Sequence, residues 1–234
     1  MPQESQNNRL SEGIALYRQK KYADALTSFL LLVSEDDVDE IELSYYLGLC
    51  YSKTGRYDEA LSYLEKVVTE ENDAKDKVMR NRMLQCRYLL AVVYIKTGRN
   101  SLADYELKQL ADAGYRPASV YASLAYIAWQ QEKTDLCIEL YQKSLEIDKD
   151  NVTALNGLGY VLAEAQKDLA KALSLCKKAL TFSPDSSACL DSIGWVYYNM
   201  GLPKESLKYL RKALEKDRDN ETIQMHLRQV GTVE

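Results

Sequence analysis

Apolar side chains recur three and four residues apart along nearly the whole chain, which is the spacing of one face of an α-helix. The pattern is clearest between residues 46 and 67, where small residues and larger apolar residues alternate over two consecutive helical segments. Its positions are Tyr46, Leu47, Gly48, Tyr51, Gly55, Tyr57, Ala60, Leu61, Leu64 and Val67. The sequence therefore predicts two antiparallel helices joined by a turn at Gly55.

The same pattern occurs once before this segment and four times after it. The second small residue of each first helix stands at positions 13, 48, 91, 125, 159 and 194. The successive spacings are 35, 43, 34, 34 and 35 residues. Six copies in one phase predict a helical-repeat protein. The single spacing of 43 predicts a longer loop or an extended helix start between Glu71 and Met79.

Glycine or alanine recurs where paired helices are expected to touch, as at Gly48 and Ala60, because a larger side chain would push the helices apart. One pair cannot bury its apolar face alone, so neighbouring pairs are expected to stack and share a core. Near residues 166–168 one extra residue separates two paired helices. After the sixth copy, residues 220–230 predict a further helix that covers the last pair, with Asn220 as its N-cap.

These residues resemble the tetratricopeptide repeat, a family whose 34-residue period matches the spacing found here. The resemblance covers roughly residues 6 to 218. It implies an all-α fold, a right-handed superhelical solenoid of six helix pairs with a C-terminal capping helix. It predicts one domain over residues 6–231, with repeats at approximately 6–38, 39–75, 76–116, 117–150, 151–184 and 185–218 and the cap helix at 220–230.

Composition and charge limit the classes of partner. Hydrophobic residues make up 46% of the chain and charged residues 28%, which is typical of a folded soluble protein. The formal net charge of −5 argues against general binding of nucleic acid or anionic membranes. The five cysteines are odd in number and fit no disulfide or zinc pattern, so we expect reduced, buried core residues.

The cysteines and the N-terminal residues bear on location. Reduced cysteines favour a reducing compartment, and the chain shows neither a signal peptide nor an apolar segment long enough to span a membrane. We therefore predict a cytoplasmic protein. The alternative is the bacterial cell envelope or periplasm, if a signal segment was removed. It rests on the segments from Asn156 to Tyr160 and from Leu190 to Trp195, which resemble repeats of bacterial cell-envelope proteins of this class.

The sequence contains no constellation that indicates catalysis. His226 is the only histidine, so any histidine-based triad or metal cluster would have to use it. It falls in the predicted cap helix, and we expect a surface or capping residue. Gly157 and Gly159 lack the third glycine and the preceding strand of a dinucleotide-binding loop. We therefore predict a non-enzymatic protein with no catalytic residues, no cofactor and no bound metal.

An acidic run lies between the first two repeats. It consists of Glu35, Asp36, Asp37, Asp39, Glu40 and Glu42. Part of it is expected to cap the next helix, because negative charge is favourable at a helix N-terminus. A docking role is the alternative.

Proteins of this family typically bind extended peptides or partner helices on the concave surface lined by the first helix of each pair, and the resemblance implies the same surface here. Helical spacing selects the side chains that face inward. The predicted groove is rich in aromatic residues, namely Tyr17, Tyr45, Tyr88, Tyr126, Trp129, Tyr160, Trp195 and Tyr198. Aromatic anchors are enriched at protein interfaces, although helix-spaced aromatic residues also form cores.

Three basic residues, Arg18, Lys53 and Lys96, each stand one position after an inward-facing residue in the first three repeats. They predict either a basic stripe, which would favour an acidic peptide or a terminal carboxylate, or a solvated flank. The sequence as a whole predicts a protein–protein interaction scaffold or adaptor that binds a peptide or partner segment in the groove. The alternative is a structural assembly component that self-associates or docks through its outer face or ends.

Overall fold

The computed structural model describes residues 2–33, 38–70 and 76–231, with side chains from residue 9 onward. The described residues form α-helices and turns, and no strand occurs among them. The chain divides into two compact units, Met1–Tyr115 and Arg116–Glu234. The predicted all-α series of six helix pairs with a final helix is confirmed in the described residues.

Unit 1, defined as Met1–Tyr115, contains three successive helix pairs. They are α1 (Pro2–Arg18) with α2 (Tyr22–Leu30), α3 (Glu40–Thr54) with α4 (Tyr57–Glu70), and α5 (Lys77–Lys96) with α6 (Asn100–Asp112). The first helices α1, α3 and α5 contact one another in order.

Unit 2, defined as Arg116–Glu234, contains three further pairs and one final helix. The pairs are α7 (Pro117–Gln130) with α8 (Thr134–Ile147), α9 (Val152–Glu164) with α10 (Leu169–Phe182), and α11 (Ser187–Asn199) with α12 (Pro203–Lys216). The final helix, α13 (Glu221–Gly231), packs on α12 and α11. It lies one residue later than predicted, and the Oδ1 atom of Asn220 accepts the N–H of Ile223 at 3.3 Å.

Small residues lie at the contact between paired helices, as the pattern predicts. A Cβ atom added to Gly48 would stand 2.7 Å from Cδ2 of Leu64, and one added to Gly194 would stand 2.7 Å from Cγ of Leu210. Both distances are far below ordinary van der Waals contact, so only glycine allows these helices to approach so closely.

The long spacing between the second and third repeats is partly explained by α5. This helix has 20 residues, whereas the other first helices described with side chains throughout have 13 to 15. Asp76 is its N-cap and accepts the N–H groups of Val78 and Met79. The helix start is therefore extended, and residues 71–75 of the predicted connection lie outside the described residues.

The extra residue of the fifth repeat is absorbed in the turn between α9 and α10. Gln166 and Asp168 both have positive φ angles, 53° and 41°. The Asp168 carboxylate accepts the N–H of Lys171 at 3.0 Å and so caps α10. Left-handed conformations cost little at Asp, whose short polar side chain bonds locally, and they let four residues connect the helices.

Part of the acidic run caps a helix, as predicted. Asp39 is the N-cap of α3 and accepts the N–H groups of Ile41 and Glu42, each at 2.9 Å. Glu40 pairs with Lys66 on α4. Residues 35–37 of the run lie outside the described residues.

Candidate partner-binding face

The first helices of unit 2 border a pocket of about 340 Å³. Most of its walls are apolar or aromatic, and no charged side chain lines it in the described part of the chain. The lining residues are Tyr126, Trp129, Tyr141, Val152, Thr153, Asn156, Gly157, Tyr160, Val161, Ser186, Ala188 and Cys189. Three residues of the predicted groove, Tyr126, Trp129 and Tyr160, are thus brought together around one cavity.

Aromatic edges and faces form one side of this pocket. Trp129 on α7 and Tyr160 on α9 meet edge to face, with ring centroids 6.1 Å apart and planes at 89°. Tyr126 is 40% exposed, and its hydroxyl oxygen accepts a hydrogen bond from Nε2 of Gln130 at 2.8 Å. Rings that are held by neighbours yet remain accessible are suited to contact another molecule with little loss of conformational entropy.

A glycine on α9 also shapes the pocket. Tyr141 on α8 is buried and lies across Gly157 on α9, where an added Cβ would stand 2.7 Å from the ring carbon Cε1. Burial raises the pKa of the Tyr141 hydroxyl above its ordinary value, so the ring is neutral at physiological pH. Gly157 therefore lets a neutral tyrosine form part of the pocket wall.

Asn156 supplies a polar group in this apolar surround. Its Oδ1 atom is buried and has no hydrogen-bond partner among the described residues. Buried polar atoms are normally paired, because an unpaired one loses its hydration without compensation.

Tyr160, four residues after Asn156 on α9, donates its hydroxyl to Oε1 of Glu164 at 3.2 Å. Burial, followed by the charge of Glu164, raises the pKa of this hydroxyl.

The expectation that His226 lies at the surface is wrong. The side chain is fully buried, and its ring stacks on Trp195 with centroids 4.0 Å apart and planes at 18°. Its Nδ1 atom lies 2.9 Å from Oδ1 of Asp191, which is also buried. The sixth repeat covers the imidazole ring of His226. The free energy gained by burying this ring exceeds the cost of desolvating its polar atoms, because the Asp191 carboxylate pairs with one ring nitrogen.

This contact also changes the interpretation of Trp195. The ring does face inward on α11, but it is only 5% exposed because His226 covers it. Tyr198 stacks on Trp195 at 5.0 Å and remains partly exposed. Trp195 thus belongs to the closed end of this face in unit 2, whereas Tyr126, Trp129 and Tyr160 border its open part.

The predicted groove residues of unit 1 lie in a second aromatic group. Tyr17 and Tyr45 each contact Tyr46, at 6.3 Å and 5.0 Å between ring centroids. The Tyr45 hydroxyl donates to Oε1 of Gln85 at 2.9 Å. Burial, together with neighbouring tyrosines, raises the pKa of Tyr17 to about 12. Tyr88 on α5 is half-buried.

The three predicted basic residues are exposed at the ends of first helices. Arg18 is in the last turn of α1, Lys53 in that of α3 and Lys96 in that of α5. A cation there interacts favourably with the negative end of the helix dipole. This explains the side chains locally, and their role as a peptide-binding stripe stays a prediction.

His226 was not among the predicted site residues, although one sequence signal points to it. Counted from the N-caps Ser186 and Asn220, the position of His226 in α13 corresponds to Ser192 in α11. The repeat register therefore continues into the cap helix, where His226 is buried like its counterpart Ser192.

Two further properties bear on the chemistry available. Within residues 2–33, 38–70 and 76–231, no group of three or more His, Cys, Asp or Glu side chains is placed to hold a metal ion. None of the helices described is both long enough and apolar enough to cross a membrane.

Comparison with known proteins identifies the repeat. Three family models described as tetratricopeptide repeat match residues 10–76, 118–151 and 150–219. A TPR repeat-containing protein of Pseudomonas aeruginosa is 30% identical over 181 residues, which is 75% of this chain and 28% of that protein. The chain thus spans less than a third of this relative's length.

Solved structures share the fold. A tetratricopeptide repeat protein from Parabacteroides merdae superposes with a TM-score of 0.71 at 15% identity, covering 97% of this chain and 84% of that one. YrrB, a TPR protein with an unusual peptide-binding site, superposes with a TM-score of 0.52 at 18% identity, covering 86% and 97%. With the six helix pairs and the three matching family models, these similarities show that the chain belongs to the tetratricopeptide repeat family.

Proposed function

We propose that this protein is a non-enzymatic adaptor that binds a segment of a partner protein on the face of unit 2 formed by α7, α9 and α11. The observation that carries the proposal is the open pocket of about 340 Å³ between these helices, with Tyr126, Trp129 and Tyr160 on its walls. Binding pockets of roughly this volume, apolar with a few polar groups, are typical of sites that hold a side chain or small ligand.

The family supports the same reading in general terms. The tetratricopeptide fold is typically a scaffold for protein–protein interaction, and the similar YrrB has a peptide-binding site. Among the described residues no charged side chain lines the pocket in unit 2, which favours an uncharged part of the partner over an acidic one. The cytoplasmic location and the alternative of self-association stay predictions.

Selection of random peptides displayed on phage against the full chain tests the proposal. We expect the wild-type protein to enrich peptides that depend on the pocket. These peptides should bind at least about tenfold less tightly to the variant carrying Tyr126→Ala, Trp129→Ala and Tyr160→Ala, since a few rigid aromatic anchors dominate the binding energy of such interfaces. Trp195 is left unchanged because it is covered by His226.

Two controls make the result interpretable. Tyr105 on α6 is 56% exposed and lies in unit 1, so Tyr105→Ala removes an exposed tyrosine of a different surface. Tyr126→Ala alone keeps the Tyr160–His226 contact and therefore the packing of α13. Enriched peptides that bind both the triple variant and Tyr126→Ala as tightly as the wild type would contradict the proposal, provided that circular dichroism shows unchanged helicity.

A further inference from the structure

Helix α12 carries more cations than any other helix of unit 2. Its charged residues are the cations Lys204, Lys208, Arg211, Lys212 and Lys216 and the acids Glu205 and Glu215. Leu210 and Ala213 are fully buried on the side of α12 that packs against α11. Lys204, Lys208 and Arg211 stand four and three residues apart on another side of the helix, where all three are exposed. These three residues form a basic stripe.

The cations of the basic stripe have no partner, whereas the other two cations of α12 do. Lys216 pairs with Asp185, and the Lys212 ammonium lies 5.9 Å from the ring centroid of Tyr209. The side chains of the stripe form no ion pair or hydrogen bond with any described residue of the chain. Like charges three and four residues apart on a helix repel one another when nothing neutralises them. The stripe is therefore available to anions of another molecule.

A groove runs along α12 beside the basic stripe. Its first part has a volume of about 540 Å³ and is lined by Lys204, Leu207, Lys208, Arg211, Lys212 and Glu215. Its second part has a volume of about 430 Å³ and is lined by Arg211, Leu214, Glu215 and Arg218. The two parts share two residues and so form one groove. With a helical rise of 1.5 Å per residue, it extends for about 20 Å along the helix.

Two leucines form the floor of this groove. Leu207 is 8% exposed and belongs to a core cluster with Val230 of α13. Leu214 is half-buried against the cluster that contains Ile223 of α13. The two leucines are seven residues apart, which is about two helical turns, so they lie on one line along α12. The groove therefore has an apolar floor, which α13 supports, and a basic rim.

We propose that this groove docks an amphipathic helix of a partner protein, with apolar side chains of the partner on Leu207 and Leu214 and acidic side chains against Lys204, Lys208 and Arg211. Apolar residues that recur every seven positions match the spacing with which two helices pack side by side at a shallow crossing angle. Charges that flank such a seam select the partner by their sign. The surface is separate from the pocket of the proposed function, since no residue lines both.

The groove suits an acidic helix better than a nucleic acid or a membrane. Glu215 lines both parts of the groove, so a continuous run of phosphates along it would meet a negative charge midway. The leucines of the floor are less exposed than the cations of the rim and cannot enter a bilayer, as the apolar face of an interfacial helix does. A partner helix can place a neutral or basic residue opposite Glu215 while its apolar side chains reach the floor.

The test measures the binding of the full chain to a fluorescein-labelled helical peptide of three ELAALEE heptads by fluorescence anisotropy. We expect the wild type to bind this peptide. The variant carrying Lys204→Glu, Lys208→Glu and Arg211→Glu should bind it at least about tenfold more weakly, because three attractive contacts become repulsive. The neutral variant carrying Lys204→Gln, Lys208→Gln and Arg211→Gln should have an intermediate affinity. Added salt should weaken binding to the wild type, since it screens exposed charge pairs.

Three comparisons make the result specific to the groove. Lys20→Glu, Lys108→Glu and Lys133→Glu together change the net charge by the same amount at exposed positions outside α12, and they should alter the affinity by less than about twofold at physiological salt. The triple alanine variant of the pocket should bind the peptide as the wild type does. A peptide with serine in place of leucine should bind at least about tenfold more weakly, because it cannot cover the apolar floor.

Four results would each overturn the proposal. They are no binding of the glutamate peptide to the wild type up to the solubility limit, wild-type affinity in the charge-reversal variant, equal binding of the serine peptide, and binding of oligothymidylate or phosphatidylserine vesicles to the basic stripe more tightly than the peptide. If circular dichroism shows that the charge-reversal variant has lost helicity, the glutamine variant decides, and wild-type affinity there overturns the proposal. The pocket is tested separately by its displayed peptides, so either surface can fail while the other stands.

Discussion

His226 stacks on Trp195 with ring centroids 4.0 Å apart, and this contact ties the last helix to the sixth repeat. The histidine pairs with Asp191 beneath it and also contacts Tyr160 on α9. Apolar residues of α13, Ile223 and Val230, are buried against α11 and α12 at the same time. The final helix therefore closes the core of unit 2, and one of its side chains occupies the inward face next to the candidate pocket.

Removing the His226 ring should destabilise unit 2. We expect His226→Ala to lower the free energy of unfolding by about 3 kcal/mol, because it opens a cavity under α13 and leaves a buried carboxylate without its partner. Trp129 and Trp195 are the only tryptophans and both lie in unit 2, so urea denaturation followed by their fluorescence measures this unit.

The neighbouring residue provides the control for this variant. Met225 precedes His226 on α13 and is 48% exposed, so Met225→Ala should change the free energy of unfolding by less than about 0.5 kcal/mol. A loss of under 1 kcal/mol for His226→Ala, at about the level of the control, would show that the stacked pair does not hold α13 in place.

Gly157 should tolerate no side chain while Tyr141 keeps its position. An added methyl group would stand 2.7 Å from Cε1 of Tyr141, so the ring must move away from the pocket wall. We expect Gly157→Ala to destabilise unit 2 by about 1–3 kcal/mol, the usual cost of overpacking, and to weaken peptide binding. Gly231→Ala is the matched control and should be nearly neutral, because an added Cβ there meets no atom of another described segment within 4 Å.

Binding and stability can be separated in this experiment. If Gly157→Ala leaves both the unfolding free energy and the peptide affinity unchanged, Tyr141 does not form a fixed wall of the pocket. A loss of stability without a loss of affinity would mean that the ring contributes to the core of unit 2 but not to the pocket.

The helix pairs could be predicted from the sequence because their signal is local and repeated. Gly48 and Gly194 stand at the same phase of successive copies, and each touches a leucine of its partner helix. Burial of inward residues could not be predicted in the same way. Trp195 and Tyr160 share one phase, yet His226, a residue 31 positions after Trp195, covers the first and leaves part of the second open.

Turn conformations were also beyond the pattern. The extra residue near 166–168 could be counted, but the sequence did not show that Gln166 and Asp168 would adopt positive φ angles. Asn156 stands four residues before Tyr160, so helical spacing alone puts both on one face of α9. Its surroundings, a cavity on one side and a buried Oδ1 atom without a hydrogen-bond partner among the described residues, arise only when α7, α9 and α11 are packed together.

An ion pair in unit 1 should contribute more than its exposed counterparts. Nη1 of Arg87 donates to Oε2 of Glu106 at 2.6 Å, and each side chain is only 11% exposed. We expect Glu106→Ala to lower the free energy of unfolding by about 2 kcal/mol, because it leaves a guanidinium with less compensation in a largely buried place. Circular dichroism during urea denaturation measures the change.

A second pair on the same helix serves as the comparison. Lys108 and Asp104 lie 2.6 Å apart on α6, but the lysine side chain is 64% exposed. Water and salt screen such a pair, so Lys108→Ala should cost less than about 0.5 kcal/mol. Equal losses for Glu106→Ala and Lys108→Ala would show that burial does not strengthen the Arg87–Glu106 pair.

The five cysteines should resist alkylation as long as the protein is folded. All five lie among the described residues, where each is buried and outside any disulfide, as predicted. Burial raises the pKa of Cys50, Cys137 and Cys176 to about 12, and because the thiolate is the nucleophile, a raised pKa keeps the reactive form scarce up to well above pH 8. Iodoacetamide at pH 8 should therefore label none of them within minutes in buffer and all five in 8 M urea, as counted by mass spectrometry.

In His226→Ala, Cys189 and Cys176 of unit 2 should react sooner than Cys50 of unit 1, since labelling then follows the opening of a destabilised unit. Rapid labelling of any cysteine in the folded wild type would contradict the burial of that thiol.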